Sequence, residues 1–410
     1  MTDLATKMAE AGLTSPMLPE NRDDPYPTWA FIRRHEPVHH SPDGTWVLTR
    51  YDHAAAVLRD PRFSSNPARL AGGIEQLASP LRQAGANVML FSDPPDHTRL
   101  RGLVSQAFTP TRVDSLRPRI ERLVGELLDA VVERGDGELD VLADLAYPLP
   151  TVVICELLGV PVADRERFKN WAAGVSRLLD NYLDEGPRLE AMVAGMELFR
   201  YVTDLVDERR ARPGADVLSA LLAAEAAGDR LTHAELLNTV ILLFVAGFET
   251  TMNLVGNGML ALLRHPSEID RVRADPTLVR SAVEELIRYD GPVHVTARIA
   301  TTDLEIGGAR IREGEQVAVT LGAANRDPEQ FPEPDRLDVG RSPNRHLGLG
   351  GGPHFCLGAT LARIEAQVAF AAVLRRFPHL ELVTERPTFR DHFVVRGLNE
   401  LKVRITPPPG

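Results

Sequence analysis

Leu349-Gly350-Gly351-Gly352-Pro353-His354-Phe355-Cys356-Leu357-Gly358 runs directly into Ala359-Thr360-Leu361-Ala362-Arg363-Ile364-Glu365, a stretch of helical character. A cysteine therefore sits where loop becomes helix. The free N–H groups and partial positive charge of a helix N-terminus favour thiolate, the form that acts as nucleophile or metal ligand. Gly350 to Gly352 let the backbone fold closely around the sulfur, and Gly358 leaves room for a flat group to lie against the helix.

A lone intracellular cysteine is ordinarily a small buried thiol. Here the three glycines, His354 two residues before Cys356 and the helix that follows suit a thiolate ligand to haem iron, whose sulfur pushes electron density onto the metal. Only one other cysteine occurs in the 410 residues, Cys155, among Val152, Val153, Ile154 and Leu157. That setting reads as core. Two cysteines exclude a disulfide scaffold and fit a reducing cytoplasm. The net charge of −11 argues against a nucleic-acid partner. No basic, apolar-cored leader opens the chain, and no uninterrupted apolar run reaches the roughly 18 residues of a membrane span, so a membrane association is not expected. Nor does a linker divide the sequence, so residues 1–410 are expected to form one domain.

Working outward, Pro42-Asp43-Gly44 is a turn signal between two short strands within 37–51, and 52–60 reads as a short helix. Residues 61–92 lack periodicity and read as a long loop, of the kind that forms lids. Asp93 is expected to cap a helix with Pro94 at its first position, which sets His97 and Arg101 on one face. Guanidinium suits a carboxylate because it offers parallel donors. Helical patterns fill most of 110–227.

Thr232-His233-Ala234-Glu235 has the form of a capping box opening a long helix to about Arg264. Its centre reads Ala246-Gly247-Phe248-Glu249-Thr250-Thr251. There Thr250 can bond back to the Ala246 carbonyl and loosen the helix where Gly247 leaves space. An acid and a hydroxyl beside a gap in a buried helix make a place for dioxygen and a proton path. Glu285 and Arg288, three apart on a later helix, can pair; as an isolated surface pair this would contribute less than about 1 kcal/mol. Residues 302–321 and 380–405 alternate as strands do.

The cysteine stretch resembles the haem-binding signature of the cytochrome P-450 monooxygenases, Phe-Gly-x-Gly-x-His-x-Cys-x-Gly, departing from it at Leu349, where Phe is usual; Pro353 is also unusual there. Ala-Gly-x-Glu-Thr-Thr resembles the same family's oxygen-activation motif, Glu-x-x-Arg recurs at the family's distance before the cysteine, and His97 and Arg101 follow Asp-Pro-Pro as in bacterial members. The resemblance spans nearly the whole chain. It implies a mainly α fold with small β-sheets, the P-450 triangular prism, with haem b between the long central helix and the Cys-loop helix.

It further implies Cys356 as the iron ligand, Glu249 and Thr250 as the catalytic proton relay, and His97, Arg101, Arg298 and His354 as donors to the haem propionates. Ala246, Gly247, Gly350 and Gly358 would shape the surfaces against the cofactor. Glu285, Arg288 and Arg336 would form a structural triad beneath it. The loop after 61 would roof the substrate pocket, Tyr182 or Leu183 could touch substrate from above, and Val293, His294, Val295 and Val394 would line the walls. The reaction implied is insertion of one atom of dioxygen into a medium to large apolar small molecule, with electrons from NAD(P)H through ferredoxin and ferredoxin reductase, in the manner of a soluble bacterial member. Two rival readings are a peroxygenase, which commonly replaces the acid and threonine kept here, and a non-catalytic haem sensor or electron carrier, which has no use for the Thr250 gap.

Overall fold

The computed structural model describes residues 3–15, 21–72, 88–106, 108–180, 185–226 and 231–406. The expected turn at 42–44 joins β1 (Val38–His40) to β2 (Trp46–Leu48), and the short helix follows as Tyr51–Arg59. The long loop is not wholly irregular: Phe63–Ser64 forms β3, and single 3-10 turns follow at Pro67–Arg69 and Met89–Phe91. The lid assigned to the middle of that segment, 73–87, lies outside the described residues, as do Tyr182 and Leu183.

Helix α1 spans Asp96–Ser105, later than the sequence suggested. Asp93 is not its cap: its carboxylate accepts from the Ser64 hydroxyl and from Ser65 N at 2.9 Å, which binds the helix entry to β3 instead. Helices α2 (Arg165–Arg177) and α3 (Glu185–Ala211) pack on each other. The stretch Glu185-Gly186-Pro187, read as a break, is the first turn of α3, where proline's missing N–H costs nothing.

Helix α4 (His233–Leu263) runs through the middle of the core, with contacts to the Pro148–Leu158 helix, α2, α3, α5 (Val279–Asp290) and α6 (Ala359–Arg376). Both halves of its capping box are made: Thr232 Oγ1 accepts from Glu235 N at 3.3 Å, and Glu235 Oε2 accepts from Thr232 N at 2.8 Å. Val141–Leu158 and α4 are long and apolar enough to cross a membrane by composition, yet both are mostly buried inside the protein. In α4 the polar Glu249, Asn253 and Asn257 are buried with the rest.

The remaining strands are β4 (Glu138–Asp140), β5 (Val295–Ala300), β6 (Leu304–Ile306), β7 (Ala309–Ile311), β8 (Gln316–Thr320), β9 (His379–Leu382) and β10 (Lys402–Thr406). They form three small sheets, ordered β1-β2-β8-β5-β3, β4-β10-β9 and β6-β7. Every pairing is antiparallel except β2 with β8, whose register sets Val47 opposite Ala318. The mainly α fold with small sheets expected from the sequence is therefore the fold observed.

Candidate active site

The cysteine loop is built by glycines for different reasons. Gly350 and Gly352 take left-handed φ values of 73° and 62°, and a Cβ on Gly352 would stand 2.1 Å from Leu58 O, so only glycine fits there. The turn closes through Cys356 N donating to Leu349 O at 2.9 Å. Gly358 caps α6, and nothing lies within 4 Å of the place its Cβ would take.

Cys356 thus precedes the helix by three residues. The expected lowering of its pKa is not met in the protein alone: burial pushes the thiol up, while an N–H from Gly358 and the charges of Arg101 and Arg363 pull it back. A bound metal cation reverses that balance, because a coordinating thiol is deprotonated outright.

Beneath the loop a charged core holds it. Glu285 and Arg288 are fully buried, with Arg288 Nε and Nη2 donating to the two carboxylate oxygens at 2.7 and 2.8 Å. The third member is not Arg336. Its guanidinium turns outward to Glu333 at 3.0 Å, and only its carbonyl meets Arg288, at 3.3 Å. Arg341 takes that place, with Nε 3.1 Å from each oxygen of Glu285. The sequence misled here because Arg336 and Arg341 lie on one irregular segment, where residue spacing does not fix which side chain turns inward. Neighbouring Glu284, missed at the sequence level, accepts from Arg363 at 2.6 and 2.8 Å and lies 3.1 Å from His346 Nε2, joining α5 to α6. These partners outweigh burial and hold its carboxyl down at about 2.

On the other side, Thr250 Oγ1 donates to Ala246 O at 2.7 Å, as the sequence suggested. Ala246 is exposed and Gly247 and Thr250 are half-buried, although they stand mid-way along an otherwise buried helix. Glu249 is buried; its Oε1 lies 3.5 Å from Arg390 Nη1, and its Oε2 has no hydrogen-bond partner among the described residues. Burial pushes its carboxyl up, opposed by the charges of His392 and Arg390. Neither basic residue was singled out from the sequence, since they lie 141 and more positions further on.

Four basic side chains converge at one edge. The rings of His97 and His354 lie 4.0 Å apart, tilted by 37°, Arg101 Nη2 donates to Phe355 O at 2.6 Å, and among the described residues the buried Arg298 reaches only Thr296 Oγ1 at 3.2 Å and Ala297 O at 2.8 Å. Burial lowers Arg298 to about 10 and, with the neighbouring Arg298, His97 and Arg101, lowers His354 to about 3. His97 Nε2 is buried without a partner among the described residues. A buried donor without an acceptor beside buried guanidinium calls for an anion, and carboxylates match that donor set. The donor set therefore fits carboxylates such as those of haem, for which the free Cys356 supplies a thiolate ligand.

Val293 pairs with Val395, and His294 N donates to Val394 O at 3.0 Å, so the two wall segments are joined. His294 itself does not address a pocket: its ring turns to Tyr26 Oη at 3.4 Å and Asp290 at 3.7 Å and is buried there.

The Cytochrome P-450 family profile matches residues 37–405. The chain is 43% identical over 392 residues to the cytochrome P-450 monooxygenase PikC of Streptomyces venezuelae, covering 93% of this chain and 91% of that protein. It is 42% identical over 398 residues to 6-deoxyerythronolide B hydroxylase of Saccharopolyspora erythraea, covering 93% and 96%. Among solved structures it is similar to P-450 BioI in complex with hexadec-9Z-enoic acid ligated acyl carrier protein, at a TM-score of 0.88 and 40% identity, covering 94% of this chain and 100% of that one. A glycine-built cysteine loop, a buried Glu-Arg core, the Thr250 back-bond in α4 and a profile matched from 37 to 405 lead to one conclusion: the chain belongs to the cytochrome P-450 family and is a P-450 monooxygenase.

Proposed function

We propose that the protein inserts one atom of dioxygen into a medium to large apolar small molecule of polyketide, macrolide or terpenoid type, as a hydroxylase or epoxidase of secondary metabolism. The cofactor would be haem b, with Cys356 as the ligand to its iron and His97, Arg101, Arg298 and His354 as donors to its carboxylates. When bound, haem supplies the activation of dioxygen and the oxygen-atom insertion. Electrons come from NAD(P)H through ferredoxin and its reductase, and the setting is cytoplasmic, without membrane or nucleic acid.

The protein's own groups orient and protonate. Thr250 Oγ1, parked on Ala246 O, is free to turn its proton toward the gap, and Glu249 behind it carries the next proton. Val293, Val295 and Val394 offer apolar contact to the substrate. The observation that carries this reading is the back-bond from Thr250 to Ala246 in a chain that also holds the glycine-built Cys356 loop. Two relatives support the substrate class: 6-deoxyerythronolide B hydroxylase, and a polyketide biosynthesis P-450 of Bacillus subtilis 38% identical to this chain.

The test is turnover of a polyketide and terpenoid library, preselected by the change in haem spin state on binding, with NADPH, ferredoxin and reductase against hydrogen peroxide alone. Product formation with the electron-transfer chain supports the reading. Product with peroxide only makes the protein a peroxygenase, and product with neither leaves a sensor.

A further inference from the structure

Glu249 and Thr250 are neighbours in sequence but address different surroundings. Thr250 returns to its own helix, whereas the Glu249 carboxylate opens on a cavity of about 390 Å³ that Arg177, Met252, Arg390, Asp391 and His392 also line. His392 is buried in this group, as Met252 and Glu249 are. Its Nδ1 lies 2.8 Å from Asp180 Oδ2 and its Nε2 lies 3.1 Å from Ser176 O. An acceptor therefore faces each ring nitrogen. A neutral ring leaves one lone pair against an acceptor: Nε2 against the Ser176 carbonyl at 3.1 Å if Nδ1 holds the proton, or Nδ1 against the carboxylate at 2.8 Å if Nε2 does, with the Val395 amide, 3.2 Å from the same Nδ1, the weaker claimant. The geometry calls for a doubly protonated ring, and the Asp180 and Glu249 charges raise its pKa against the cost of burial.

Asp180 also accepts from Phe393 N at 3.0 Å and Val394 N at 2.8 Å. It stands just after α2, so one carboxylate fastens the end of that helix to the turn 390–396, the same turn that supplies Arg390 and pairs with Val293. Glu249 is thus faced by His392 and Arg390 from the turn and by Asp180 from the end of α2, with Arg177, Asp391, Asp140 and Tyr147 farther round the cavity.

We propose that Asp180 and His392 are positioning residues for Glu249: docking of the α2 end on the 390–396 turn holds Arg390 at 3.5 Å from the acid and the His392 imidazolium on the wall of the same cavity, so that the protonation of Glu249 and the closure of this wall are linked. The proposal rests on the relay role given to Glu249 above. Linkage makes it reciprocal: protonating Glu249 removes the negative charge that Arg390 and the imidazolium face from the turn and loosens the docking, and undocking lets Glu249 keep its proton.

The experiment uses the haem-loaded full-length protein and follows by infrared the protonated-carboxyl band that Glu249→Gln removes. His392→Gln is expected to raise the midpoint of that band by about one pH unit, a tenfold change in the protonated fraction, and Asp180→Asn, which also removes a carboxylate that itself raises Glu249, to raise it by less. His392→Arg, which keeps the cation, is expected to hold the midpoint near its original value. Midpoints unmoved in both neutral variants overturn the proposal, as does a His392→Arg midpoint that moves as far as that of His392→Gln, the mark of a purely structural role. Should the variants fail to fold, the native protein still decides: amide-exchange protection at Phe393 and Val394 must fall over the pH range in which the band appears, and constant protection overturns the linkage. The titration needs no turnover, so its failure leaves the monooxygenase reading standing, and failure of turnover leaves the titration readable.

Discussion

Arg341 sets its Nε 3.1 Å from both oxygens of Glu285, while Arg288 grips the same carboxylate from its own helix at 2.7 and 2.8 Å. Removing one partner of a buried charge leaves the other uncompensated, at a cost of about 3–5 kcal/mol. Arg341→Met is therefore expected to lower stability to denaturant by about 3 kcal/mol. Arg336→Met, whose side chain is 59% exposed, should change it by less than about 1 kcal/mol. Equal losses in urea titrations of the two variants would return Arg336 to the triad.

Cys356→Ser exchanges a sulfur for a weakly ligating hydroxyl in an unchanged loop. The reduced carbon monoxide complex is expected to lose its red-shifted Soret band while the fold, read by circular dichroism, persists. Survival of the band would remove Cys356 from the metal.

Thr250→Ala deletes the hydroxyl that donates to Ala246 O. The expected outcome is continued oxygen consumption with product per NADPH reduced on the order of a hundredfold, the lower end of what one positioned proton donor contributes. Coupling at the native level, measured by oxygen electrode against product, would rule out the relay.

Gly352→Ala asks a side chain to enter a backbone at φ 62° with a carbonyl oxygen 2.1 Å from the new Cβ. A loss of about 2–4 kcal/mol is expected, strain and collision combined. Gly358→Ala, with open space around it, serves as the control and should stay within about 1 kcal/mol in the cofactor-free protein. Comparable melting curves for the two would contradict the packing of the loop on Leu58.

Glu365 is buried on α6, and burial raises its pKa from 4.5 to about 8, with the Thr251 side chain only partly offsetting this. The folded state thus keeps a proton that the unfolded chain releases. Stability from this group is whole below about pH 4.5 and is lost as pH rises toward about 8, amounting to about 3 kcal/mol by pH 7. Glu365→Gln is expected to flatten that slope and to gain on the native protein from pH 5 to pH 8. A parallel pair of stability–pH curves would show that the carboxyl is ionised in the fold.

Features set by local chemistry were legible in the sequence. The capping box at Thr232, the back-bond from Thr250 and the glycine-dependent cysteine loop each follow from residues a few positions apart. What stayed hidden depends on which remote side chain wins a buried carboxylate. Arg341 in place of Arg336, Arg390 and His392 beside Glu249, and Asp93 turned to β3 are outcomes of tertiary packing among irregular segments, where no period directs a side chain. His294 is the same case: its place on an extended wall segment is local, but the pull of Asp290 and Tyr26 on its ring is not.

The parallel seam between β2 and β8 joins residues 46–48 to residues 317–319. On a ribosome the first of these emerges long before the second exists, so β2 must wait with one edge unpaired until most of the polypeptide has been made. Assembly of this sheet is therefore a late, high-contact-order event, and overproduced chains should aggregate through that waiting edge before they aggregate through the helical core.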